Sequence, residues 1–131
     1  MILKKYILLI LVGFSIWSCS VNDEKTTGEI IGNWNWIGSS GGIAGTTETP
    51  ESTGDKRKLE ISKDSIKSYL NGELNLKTKY TVETRESLLF NEPRKMIISG
   101  SGFKQIIDFD GDDLILIGDC NDCFTSGYKK E

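Results

Sequence analysis

The stretch Asn71-Gly72-Glu73-Leu74-Asn75-Leu76-Lys77-Thr78-Lys79-Tyr80-Thr81-Val82 decides the fold. Leu74, Leu76, Thr78, Tyr80 and Val82 alternate with Glu73, Asn75, Lys77 and Lys79. Successive side chains leave a pleated strand on opposite sides, so a period of two marks a strand with one buried and one solvated face. Asn71-Gly72 supplies the positive φ that a type I′ turn needs at both central positions. The strand is therefore the second arm of a hairpin, and Ser65-Ile66-Lys67-Ser68-Tyr69-Leu70 is the first.

The same reading extends both ways. Upstream lie Lys58-Leu59-Glu60-Ile61 and an opening strand from Glu29, in which Ile30, Gly32, Trp34 and Trp36 share one face against Asn33 and Asn35. Downstream, short strands are expected at 88–90, 95–98, 103–109, 114–117 and 124–129. Asn91-Glu92-Pro93, Gly100-Ser101-Gly102 and Asp110-Gly111-Asp112 separate them with turn chemistry. No segment after Cys19 shows helical periodicity. The expectation is an all-β, up-and-down antiparallel meander of eight or nine strands, closing into a small barrel that removes its edges. Ile106-Ile107 and Leu114 to Ile117 are apolar on both faces, which calls for a cover on the outer side, from the opening segment or a partner chain.

The first residues have a different character. Met1 to Lys5 is short and basic, and Tyr6 to Trp17 is an uncharged apolar run of signal-peptide length. Ile16-Trp17-Ser18-Cys19 resembles the lipobox of bacterial lipoproteins, with Trp17 where a small residue is usual. The resemblance implies cleavage before Cys19 and acylation of its thiol. The chain then divides into a signal peptide (1–18), a lipidated tether (19–28) and a barrel domain (29–131), held at the outer membrane and facing the periplasm or the cell surface. Ser20 to Gly28, polar and without periodicity, reads as flexible.

Composition narrows the chemistry. Of 131 residues, 16 are Lys or Arg and 19 are Asp or Glu; Lys4 and Lys5 leave with the export segment, so the remainder carries a net −5. An acidic surface repels phosphate backbones, and nucleic acid is not an expected partner. Histidine is absent. That removes the commonest general base and metal ligand, so neither an enzyme nor a cofactor is expected. Asp108 to Asp113 has its glycine misplaced for a calcium loop and reads as an acidic turn, so no metal is expected. For Cys120-Asn121-Asp122-Cys123, a redox pair would need a helix and a zinc site would need more soft ligands. A structural disulfide suits an oxidising compartment best.

Gly32-Asn33-Trp34 looks like the Gly-x-Trp signature of lipocalins and the wider calycin barrels. Nearer still are the small lipocalin-like domains of bacterial lipoproteins. They resemble this chain in Gly-x-Trp-x-Trp, a Gly-rich stretch (Ser40 to Gly45), the strand Asp112 to Leu116, and a closing segment from Asp122-Cys123-Phe124 to Tyr128-Lys129-Lys130. The resemblance implies that Trp34 plugs the closed end of the barrel against Lys129 or Lys130. The Gly, Ser and Thr-rich stretch from Gly38 to Gly54 reads as a long loop; the resemblance implies a gate over the barrel mouth, and the alternative is a mobile surface loop. By parity, Trp34, Trp36, Leu74, Leu76, Tyr80 and Phe103 are the candidate interior residues. The expected function is binding of a small apolar or amphipathic ligand inside the barrel. The alternative is a protein-binding module, such as a protease or lysozyme inhibitor, that inserts a flexible segment into its partner.

Overall fold

The computed structural model describes residues 18–131 of the chain, with side chains from Asp23 onward. The expected signal peptide, apart from Ser18, and the thiol of Cys19 lie outside the described residues. Nine strands follow one helix: α1 (Ser18–Ile30), β1 (Gly32–Gly41), β2 (Thr46–Glu48), β3 (Arg57–Ile61), β4 (Ser65–Leu70), β5 (Glu73–Glu86), β6 (Pro93–Ser99), β7 (Lys104–Asp110), β8 (Asp113–Gly118) and β9 (Phe124–Lys130), with a helical turn α2 (Pro50–Thr53) between β2 and β3. All pairings are antiparallel, and each strand from β3 to β9 pairs with the next. β1 pairs with β3 through Gly32–Asn35 and with β9 through Trp34–Gly41. The expected meander thus closes into an eight-stranded barrel, and β2 is one extra strand beside the upper part of β1.

Local chemistry sets these elements. Asn71 (φ 51°) and Gly72 (φ 85°) form the β4–β5 turn that their sequence requires. The Gly-x-Trp glycine also has a physical reason. Gly32 sits at φ 143°, where α1 turns into β1, and a Cβ there would meet Lys130 Cε at 3.2 Å. Trp34, two residues on, is buried; its Nε1 donates to the Ile30 carbonyl (2.8 Å) and Lys130 Nζ lies 5.2 Å from its ring centroid. Of the two lysines proposed for that contact, Lys130 makes it.

The expected flexible tether is instead the helix α1. Thr26, Thr27 and Gly28 are poor helix formers, so docking rather than propensity holds it. At one end Ile30 enters the core beside Trp34. Farther back, Lys95 Nζ donates to Thr26 Oγ1 (2.9 Å) and Thr84 Oγ1 donates to Asp23 Oδ1 (3.2 Å). Thr84 and Lys95 are cross-strand partners on β5 and β6, across the barrel from β1. The helix therefore lies across one end of the barrel and forms its floor. Above it, Leu59, Ile61, Tyr80, Ile97, Leu114 and Leu116 make the core.

Two further expectations are corrected. Leu88-Leu89-Phe90 is a turn rather than a strand, because Ser87 Oγ accepts from the Leu89 and Phe90 amides (3.2 and 3.1 Å) and Asn91 takes φ 52°. The Gly38–Gly54 segment is not a long loop. β1 runs on to Gly41, hairpins into β2, and passes into α2, which Thr49 caps reciprocally with Ser52.

Over Met96 and Ile106, the cover on the outer apolar face comes from the β5–β6 turn rather than from the opening segment. Met96 and Ile106 are paired across β6 and β7 on the outward row, yet are 0% and 1% exposed. Asp119, just past β8, accepts hydrogen bonds from Ser87 Oγ (2.8 Å) and from the amides of Leu88 (3.0 Å) and Leu89 (3.3 Å). A turn between β5 and β6 that reaches beyond β8 must cross the outer faces of β6 and β7. Asp119 holds it there.

Candidate functional site

The barrel is filled at the α1 end and open at the other. Its upper lumen holds a cavity of about 380 Å³, within the ~300–1,000 Å³ range of small-molecule sites. Leu59, Ile66, Ile97 and Leu116 form its aliphatic wall. Leu76 and Phe103 stand at its rim, 56% and 48% exposed. Two large apolar side chains are thus exposed at the mouth of an apolar space. Ser68, Thr78, Ser99, Gln105 and Tyr128 add polar groups to the same wall.

Of the six candidate interior residues, Leu76 and Phe103 line this cavity. Trp34 belongs to the floor. Tyr80 is buried in the core, and its hydroxyl donates to the Ser62 carbonyl (2.6 Å); burial, reinforced by the Asp64 charge, raises its pKa above the ordinary 10.0. Trp36 is buried but absent from the cavity wall. Its Nε1 donates to Ser39 Oγ (2.8 Å), which shares a hydrogen bond with Ser126 Oγ (2.6 Å), while the Arg57 guanidinium covers its ring at 4.2 Å. Glu48 pairs with that guanidinium (3.3 Å). This stack plugs one side of the lumen and confines the cavity to the other.

Leu74 is a correction. Ser68 pairs with Leu76, but Tyr69 pairs with Leu74, so Asn75 is an extra residue in β5. Such a bulge reverses the side on which the next residues fall. Leu74 joins the outward row with Tyr69, whose hydroxyl donates to Glu60 (3.2 Å), and is 55% exposed. Perfect alternation in the sequence concealed the bulge.

Parity counting overlooked Gln105 and Tyr128, both of which line the cavity. Burial pushes the Tyr128 hydroxyl above the ordinary 10.0, against the opposing pull of its Ser126 hydrogen bond and the Arg57 charge, so it stays protonated. No residue between Gly42 and Gly54 lines the cavity. A broader depression of about 830 Å³ lies outside the floor, bounded by Trp34, Asp112, Asp113, Lys129 and Lys130. Its charged border and openness suit solvent better than an apolar molecule.

Cys120 and Cys123 are joined in a disulfide at the rim, between β8 and β9. The bridge seats on Gly118, where a Cβ would fall 2.5 Å from Cys123 Cβ and 3.4 Å from Phe103 Cζ. A loop this short gives the cross-link about 2 kcal/mol. The variant C120A/C123A is expected to lose that amount in urea unfolding while keeping its cavity. A loss above twice this figure would mean that the bridge also holds the rim strands together.

No family model matches the chain, and no curated protein matches it. Among solved structures, it is similar to a de novo designed fluorescence-activating β-barrel, at 10% identity and a TM-score of 0.40, covering 81% of this chain and 97% of that one.

Proposed function

We propose that this protein is a non-enzymatic, lipid-anchored lipoprotein of the cell envelope whose barrel binds a small hydrophobic or amphipathic molecule. One observation carries the binding reading: an aliphatic cavity of about 380 Å³ opens under Leu76 and Phe103. Support for the anchor comes from the sequence, in the apolar run that ends at Cys19. Cys19 falls in the first turn of α1, the floor helix, so acylation there would set the floor toward the lipid and the mouth away from it. The absence of histidine supports a binding role over a catalytic one.

Photolabelling tests the binding reading. The full chain is reconstituted in vesicles with a decyl diazirine, and the labelled peptides are mapped by mass spectrometry. Label is expected on the peptides carrying Ile97, Phe103 and Leu116. Ser68→Trp, which places an indole in the lumen opposite Leu59, should remove at least nine-tenths of it. Label that ignores Ser68→Trp, or that falls only on outward residues, would contradict binding in the barrel.

A second reading, a protein-binding module, is favoured by Ile43, which is 91% exposed at the β1–β2 hairpin. On that reading, a protein that co-purifies from the native cells should be lost on Ile43→Asp. Retention of the partner excludes the hairpin as its contact.

A further inference from the structure

We infer that the cavity selects an uncharged amphiphile with an amide, hydroxyl or carbonyl head, and that Gln105 recognises that head. This rests on the ligand-binding reading above. Gln105 faces inward on β7, opposite Ile97 on one side and Gly118 on the other. It lines the cavity two residues after Phe103 at the rim. Its amide makes no side-chain hydrogen bond to another described residue.

Most of the other polar groups in the wall are already engaged. Ser99 Oγ shares a hydrogen bond with Ser101 Oγ (2.9 Å), Thr78 Oγ1 donates to the Lys79 carbonyl (3.0 Å), and Tyr128 is bonded to Ser126. Ser68, like Gln105, makes no side-chain hydrogen bond to another described residue, but offers only one short hydroxyl. Gln105 brings two donors and an acceptor into a mainly aliphatic space. A hydrocarbon that fills this space strips water from the amide and returns nothing, whereas a polar neutral head replaces the lost hydrogen bonds.

The wall also lacks a counter-charge. Among the described residues it contains no acidic residue, and its only cation, Lys77, belongs to the outward row, where it stands opposite Lys67. A carboxylate or ammonium drawn down to Gln105 would shed its water without meeting an opposite charge. Such heads must remain at the mouth, which leaves the amide unpaired. One to two net hydrogen bonds correspond to a preference on the order of tenfold.

The test is competition against the decyl diazirine on the full chain, at matched free concentrations. Decanol and decanamide are expected to suppress labelling of the Ile97 and Leu116 peptides at about tenfold lower concentration than decanoate or decyltrimethylammonium. Gln105→Leu should erase that difference while labelling persists, and Gln105→Glu should turn the preference toward the cation. Equal suppression by decanoate, or an unchanged ranking in Gln105→Leu, overturns the assignment and leaves the cavity standing. Failure of the probe to label the lumen at all overturns the cavity reading, and this one with it.

Discussion

Replacing Trp34 by alanine is expected to lower the unfolding free energy by about 4 kcal/mol. The ring is buried at the point where α1, β1 and the end of β9 meet. Alanine leaves a void there and removes the only side-chain hydrogen bond between Trp34 and the helix carbonyl at Ile30. It also frees Lys130 from its aromatic partner. With total stabilities of ~5–15 kcal/mol, such a loss places a domain of this size close to its threshold. Trp34→Phe keeps most of the volume and loses the indole N–H, so a cost of about 1.5–2 kcal/mol is expected. Urea unfolding followed by far-ultraviolet circular dichroism measures both. Equal costs for alanine and phenylalanine would mean that the hydrogen bond, not the filled floor, dominates.

Replacing Asp119 by alanine should cost about 3 kcal/mol and lower Tm by roughly 10–20 °C. The carboxylate is 6% exposed and accepts from Ser87 Oγ and two consecutive amides. Its removal orphans the Ser87 hydroxyl and the Leu88 amide, leaves the Leu89 amide to Ser87 Oγ alone, and releases the turn from Met96 and Ile106. A pH effect follows from the same group. Burial alone would raise its pKa, but the hydrogen bonds from Leu88, Ser87 and Leu89, with the Lys104 charge, outweigh it and hold the pKa below the ordinary 3.8. A carboxyl whose pKa is depressed on folding contributes stability above its unfolded pKa and loses it as pH falls through the folded one. The wild type should therefore shed this contribution below about pH 3.8, and Asp119→Asn should flatten that part of the acid limb. An unchanged acid limb would show that Asp119 is not what holds the turn.

The barrel was largely legible in the sequence because its signals are local. Alternation from Leu76 to Val82, Asn71-Gly72 at the hairpin, and Gly32 before Trp34 each act within a few residues. What escaped depends on distant partners. Nothing near Ser87 reveals that Asp119 will accept from it, so 88–90 reads as a strand on its apolar residues alone. α1 carries no amphipathic pattern of its own, and only contacts with Trp34, Thr84 and Lys95 make it a helix. The bulge at Asn75 leaves alternation intact and still turns Leu74 outward. Gln105 escaped because a polar residue on an inward row looks like an error in the pattern, when it marks the place where the wall has chemistry left to offer.

A crystal structure under xenon pressure tests the lumen most directly, because xenon settles against apolar walls that leave it room. A xenon atom among Leu59, Ile66, Ile97 and Leu116 is the expected result. A lumen closed by the side chains of those residues, with xenon absent from it, would contradict the cavity on which the proposed ligand depends.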